Sequence, residues 1–306
     1  MVDNERQAVL DRVTNSERTL VMGVLNITED SFSDGGRYLN PDNAFAHAER
    51  MVTDGADIID IGAESTRPGA VRVPEQVEKE RVVLAVRRIH TQFPDIALSV
   101  DTTRAAVADA ALKAGAHIIN DVSGGQLDPE LVDVVAQSDC LYIVQHWRAW
   151  LGTAQGSAGQ NDKLADRDTS VYDGGVVEDT FTELKSQIDN VIARGVPVER
   201  IVSDPGLGFS KPTVNHNMPI IGQIEKFAQL GYPVLIGASR KRFVSSLVQD
   251  AGLDLVSEAD LDNMTEALTV LAAERGAWAV RVHGVRRNRA AVEAVAVMKR
   301  LRAQQV

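Results

Sequence analysis

Residues 96–121 read IALSVDTTRAAVADAALKAGAHIIND. A short apolar run, IALSVD (96–101), leads into an amphipathic segment over 104–115 that stops at Gly115, and HIIND (117–121) follows. A strand, a helix closed by glycine and a second strand make the parallel βαβ unit. Each strand also ends in polar residues, Asp101 in the first and Asn120 and Asp121 in the second.

The unit continues in both directions. Candidate strands are TLVMGVLN (19–26), DIIDIG (57–62), LYIVQH (141–146), RIVSDP (200–205), PVLIGAS (233–239) and AVRVH (279–283). Helical periodicity covers 41–55, 75–93, 129–138, 176–195, 217–230, 240–250 and 261–276, with a last helix at 285–303. Gly55, Gly195, Gly231 and Gly276 close helices as Gly115 does. Eight strands alternating with helices and no linker predict an α/β fold, a single-domain (β/α)8 TIM barrel over 19–306 behind an N-terminal extension, 1–18. An open, doubly wound sheet is the alternative. No internal repeat is evident. One polar, glycine-rich stretch at about 152–175 breaks the rhythm after the fifth strand, so it belongs on the C-terminal face. It reads either as a lid or binding loop or as a tolerated insertion.

Composition narrows the partners. The 306 residues are 44% hydrophobic and 25% charged, with a net charge of −11. That balance repels nucleic-acid phosphates and anionic membranes, so neither is expected as a partner. The single cysteine, Cys140 in CLYIV, excludes an internal disulfide and a cysteine zinc cage. The opening MVDNERQAVLDRVTNSER lacks the apolar core of a signal peptide, and no apolar run reaches the ~20 residues of a membrane span. A cytoplasmic enzyme is expected.

Polar residues end nearly every strand. Asn26 closes the first, Glu64 and Thr66 follow the second, His146 ends the fifth and Asp204 the sixth. Ser239 to Arg242 follow the seventh, and Arg281 and His283 end the eighth, two apart and therefore on one face. Helix capping accounts for any one of these, Asp101 before TTR or Ser239 before RKR for example. It does not account for all of them together, and a parallel barrel gathers such positions on one face. Asp101, Asn120 and Asp204 can accept from the N–H groups of a planar heterocycle. Arg67, Lys241, Arg281 and His283, expected opposite them, fit a phosphorylated or diphosphate group.

GVLNITEDSFSDGGRY (23–38), GAESTRPGA (62–70), VDTTR (100–104), NDVSGG (120–125), DPGLGF (204–209), GASRKRF (237–243) and RVH (281–283) occur in this order. Together they resemble the dihydropteroate synthases, from about residue 20 to the last helix. The resemblance implies a transferase of folate biosynthesis. It would join 6-hydroxymethyl-7,8-dihydropterin diphosphate to 4-aminobenzoate by an SN1-like displacement. Asp34, Arg67 and Lys241 would be catalytic. Asp101, Asn120, Asp204 and Lys241 would hold the pterin, and Thr66, Arg67, Arg281 and His283 with Asn26 the diphosphate. Asn26 would carry Mg2+. Phe32, Pro68, Phe209, Ser239 and Arg242 would border the aminobenzoate. A homodimer is implied as well.

Glu29 stands where the family usually has proline and Ala63 where it often has a second glycine, while the 152–175 stretch is longer than usual. A methyltetrahydrofolate-dependent methyltransferase barrel would share the ring pocket without handling diphosphate. A non-catalytic pterin-binding paralogue would lose loop residues that are present here. On this reading Lys241→Ala and Arg281→Ala each cut turnover heavily and leave thermal stability nearly unchanged.

Overall fold

The structure, a computed structural model, describes residues 2–27, 41–64, 73–148, 169–252 and 256–305. Its elements run α1 (Val2–Thr14), β1 (Leu20–Asn26), α2 (Pro41–Thr53), β2 (Ile58–Gly62), α3 (Glu75–Gln92), β3 (Ala97–Asp101), α4 (Ala105–Ala114) and β4 (Ile118–Asp121). Then come α5 (Pro129–Ala136), β5 (Leu141–Gln145), α6 (Val176–Ala193), β6 (Ile201–Asp204), α7 (Val214–Ile221) and α8 (Ile224–Ala228). The chain finishes with β7 (Leu235–Ile236), α9 (Arg242–Asp250), α10 (Glu258–Glu274), β8 (Ala279–Val282) and α11 (Val285–Ala303). The strands form one parallel eight-stranded sheet in the order β6-β5-β4-β3-β2-β1-β8-β7. A bridge between Ser203 and Val234 joins the two ends, with the Ser203 N–H donating to the Pro233 carbonyl at 2.8 Å. This is the closed barrel, and the open sheet is excluded.

The period of two divides each strand between two cores. Val21, Ile59, Leu98, Ile119, Tyr142 and Val280 point outward and pack against the helices. Leu20, Met22, Ile58, Ala97, Ile118, Ile143, Val202, Leu235 and Ala279 fill the barrel's interior. Higher up the same inward rows become polar, with Asp60, Ser99, Asp101, Asn120, Gln145 and Asp204 all buried. The lower barrel is therefore a packed core and the upper barrel a lined site.

The N-terminal extension has a structural role that the sequence reading did not assign. Val9, Leu10 and Val13 of α1 are buried in the interior cluster, closing the floor of the barrel. The Trp278 indole packs there and donates to the Val13 carbonyl at 2.8 Å. Burying an aliphatic side chain contributes about 1.5–3 kcal/mol. Removing residues 1–14 is accordingly expected to lower unfolding stability by on the order of 5 kcal/mol and to red-shift Trp278 fluorescence, checked by urea titration. An unchanged midpoint would show that the floor needs no plug.

Three elements differ from expectation. The helix expected over 217–230 is two short helices, α7 and α8, because Gln223 leaves helical geometry at φ −134°, ψ 39°. The seventh strand, expected over 233–239, pairs with β8 only at Leu235–Ile236. Residues beyond it curl toward α9, with Arg240 at φ +56° and tied to Asp262 at 2.8 Å. At α10 a reciprocal Ser257–Asp260 capping box starts the helix before the expected residue 261. No described helix is long and apolar enough to cross a membrane.

Candidate active site

Register builds the rim of the site. Asn26 pairs with Gly62, Gly62 with Asp101, and Asp101 with Asn120, so four consecutive strands place these residues side by side. Gln145 pairs with Asp204 on the next two strands. Gly62 keeps the space between its neighbours open, since a Cβ there would lie 3.6 Å from Asn26 Oδ1 and 3.7 Å from Asp101 Cβ.

Below the rim lies a residue that the sequence reading did not select. Asp60 is fully buried, accepting from Ser99 Oγ at 2.5 Å, Asn120 Nδ2 at 3.2 Å and Arg281 Nε at 2.6 Å. Arg281 also donates through Nη2 to Asp101 at 2.9 Å. The expectation of cations facing carboxylates across a gap is corrected here: Arg281 lies among the carboxylates and bridges two of them. Asp60 is the one charge within the apolar strand IIDIG (58–62), on the same face as Gly62, and that is its signal.

Burial and charge set the protonation of the group. Burial pushes Asp101 up to about 7, against the pull of Arg281 and with the added repulsion of Asp60. At neutral pH it therefore serves as donor or acceptor. Burial also raises Asp204, opposed mainly by the Lys241 ammonium. Lys241 is itself pushed down to about 8 by burial, with Asp204 opposing. Its Nζ donates to the Leu207 carbonyl and lies 4.8 Å from the centre of the half-buried Phe209 ring. Asn120 is the informative member: its Oδ1 is buried and has no hydrogen-bond partner. A buried orphan acceptor costs free energy, and a ligand that donates to it recovers that cost.

The remaining expected residues divide. Ser239 is buried, its Oγ 2.9 Å from His283 Nδ1, which holds the β7 and β8 ends together. Arg242 is exposed as the first residue of α9, beside rather than within the ring. Asp121 faces away from the axis and fastens the next turn, accepting from Ser123 N, Ser123 Oγ, Gly125 N and Tyr142 Oη. His146 likewise leaves the ring and is engaged by Glu183 and Lys211. Phe32, Asp34, Thr66, Arg67, Pro68 and residues 149–168 of the long insertion region lie outside the described residues.

Known proteins place this arrangement. Residues 22–283 match the family described as pterin binding enzyme. The dihydropteroate synthase of Mycobacterium leprae is 42% identical over 278 residues, covering 91% of this chain and 92% of the relative. This chain belongs to the dihydropteroate synthase family. Among the solved members, the Yersinia pestis synthase in a sulfonamide drug complex superposes with a TM-score of 0.81 at 35% identity, over 93% of this chain and 95% of that one. The Burkholderia cenocepacia synthase complexed with 7,8-dihydropteroate gives 0.78 at 33% identity, covering 95% and 94%. The structure gathers Asp101, Asn120 and Asp204 into one buried ring, with Lys241 beside Asp204 at the start of α9.

Proposed function

We propose that this protein condenses 6-hydroxymethyl-7,8-dihydropterin diphosphate with 4-aminobenzoate, giving 7,8-dihydropteroate and diphosphate. The observation that carries the reading is the unpartnered Asn120 Oδ1 set beside two buried carboxylates. Asp101, Asn120 and Asp204 offer acceptors to the N–H edge of the ring, and Lys241 supplies a donor from the start of α9. A site of this kind rejects rings that lack the matching groups, because its own polar atoms would stay unpaired.

At the other side Asn26 and His283 border the space where the leaving diphosphate would lie; the resemblance adds Thr66 and Arg67 to the residues that would bind it. Asn26 fits Mg2+ through its amide oxygen, a hard donor of the kind this ion takes singly beside water and phosphate oxygens. Bound there, Mg2+ would neutralise charge developing on the diphosphate. Arg281 holds Asp60 and Asp101 in place, so their negative charge faces the methylene as the carbon–oxygen bond breaks. The arylamine attacks that carbon without a strong base, its extra proton passing to solvent. The start of α9 offers free N–H groups for the aminobenzoate carboxylate, with Phe209 and Ser239 alongside.

Purified protein with Mg2+ and both substrates should release diphosphate and dihydropteroate, followed by chromatography. Well-folded protein without turnover would leave the pterin-binding paralogue as the reading. We further assign a cytoplasmic homodimer. Val270 and Leu271 of α10 and Val297 and Leu301 of α11 are exposed apolar residues on neighbouring helices. Light scattering should give twice the chain mass, and Leu301→Glu should shift the protein toward monomer.

A further inference from the structure

A cluster of buried titratable groups outside the ring has no part in the roles above. Lys211, in the loop between β6 and α7, is fully buried. Its Nζ lies 2.8 Å from His146 Nδ1 and 3.3 Å from the carbonyl oxygens of Gly206 and Phe209. His146 is also fully buried, and its Nε2 lies 2.9 Å from Glu183 on α6, which pairs with Arg148 at 2.6 Å. Burial, aided by the Lys211 charge, pushes His146 down to about 3, so the ring is neutral. With its N–H directed at Glu183, Nδ1 turns a lone pair to Lys211. Three acceptors then surround Nζ, the complement of an ammonium's three N–H donors. Burial pushes Lys211 well below an ordinary lysine, and the largest opposing influence is Asp204.

Fold stability does not account for this lysine. The loop is already fastened by Asn217, whose Oδ1 accepts from Gly208 N at 2.8 Å and whose Nδ2 donates to the carbonyls of Lys211 and Thr213 at 2.8 and 2.7 Å. Gly206 is held from the other side, where a Cβ would meet the His146 carbonyl at 2.4 Å. A buried ammonium costs free energy that an apolar side chain of the same length would not. The charge does have a neighbour in the site. His146 N donates to the Asp204 carbonyl at 2.8 Å, and the Asp204 carboxylate accepts from Gly206 N at 2.7 Å.

We infer that Lys211 is a positioning residue for the pterin pocket: enclosed by three acceptors beneath the β6 loop, it sets a positive charge behind Asp204, so that Asp204 meets the heterocycle as an ionised acceptor. This rests on the pterin reading of the ring. Three cations face Asp204: Lys241 from the start of α9, Arg281 from β8, and Lys211 from the carboxylate's own loop. Arg281 carries Asp60 and Asp101 with it, and the His146 ring is neutral.

The test measures binding of 6-hydroxymethylpterin by calorimetry from pH 5 to 8, for the wild type, Lys211→Met and Lys211→Gln, with melting temperatures alongside. Glutamine retains a donor for the loop carbonyls but no charge. Both variants should melt at or above the wild-type temperature and bind up to about tenfold more weakly on the acid side of the profile, where Asp204 takes up its proton, the worth of one pK unit on Asp204. Their acid-side loss of binding should also begin at higher pH, because Asp204 has lost one of its cations. Whichever variant folds is read. Unchanged affinity with an unchanged acid limb overturns the inference, and so does a large fall in melting temperature in both, which would make the lysine structural. A wild type that fails to bind the pterin would instead count against the pocket reading itself.

Discussion

Arg281→Met should lose both turnover and stability. The guanidinium bridges Asp60, which is fully buried, and Asp101, and removing it leaves two carboxylates without their cation. Breaking a buried pair from one side costs about 3–5 kcal/mol, and the urea midpoint should fall accordingly. The sequence-based expectation of unchanged stability is thus reversed for this residue, because an arginine read as free for phosphate has carboxylate partners. The loss should depend on pH. Asp101 takes up its proton at about 7 in the folded protein, above its ordinary value, so the folded state holds that proton more tightly than the unfolded chain. Such a group contributes stability fully in acid and loses it as pH rises through about 7. The variant should therefore recover part of its deficit between pH 8 and 5, since a neutral Asp101 needs no cation. A deficit that stays constant over that range would show that Asp101 does not titrate there. Combining Arg281→Met with Asp60→Asn should cost less than the two separate losses summed, as groups in contact are not independent.

Lys241→Ala is expected to behave differently, cutting turnover by roughly 10²–10³ while leaving the melting temperature nearly unchanged. That range is the usual loss on removing one preorganised hydrogen-bond donor from an active site. Lys241 is only partly buried by its own surface, and its Nζ serves a loop carbonyl, Leu207 O, that sits near solvent-exposed Gly208. Burial has already pushed its ammonium down to about 8, so the fold gives up little in losing it. The same value sets an alkaline limb: if the charged form is the working one, kcat should fall as pH rises through about 8. Lys241→Arg, which cannot deprotonate in this range, should lose that limb while retaining only part of the rate, because the planar fork does not reproduce a lysine's geometry. An alkaline limb that persists in the arginine variant would assign it to another group.

The amount legible beforehand differs from element to element. The βαβ rhythm at 96–121 placed β3, α4 and β4 within one residue at each end, because strand period, helix period and terminating glycine agree there. The ring of Asp101, Asn120 and Asp204 followed from strand-end polarity. Asp60 lies mid-strand, where strand-end polarity gives no signal. Lys211 lies two residues beyond the DPGLGF motif, where no local pattern marks it. Asp121 and His146 were read as rim residues, yet adjacent strand residues face opposite sides, so Asn120 and Asp121 cannot both point inward.

By itself, then, the sequence determined the barrel, the polarity of its upper rim and the family, since those depend on local period and on motifs contiguous in the chain. Only the tertiary structure decided that the polar strand ends form a bridged network with Arg281 between Asp60 and Asp101. It also decided that α1 plugs the floor and that His146 joins Lys211 beneath the β6 loop. The physical reason is that these are contacts between residues tens to hundreds of positions apart, whose energies depend on burial. No local pattern records how deeply a charge is buried or which distant charge answers it.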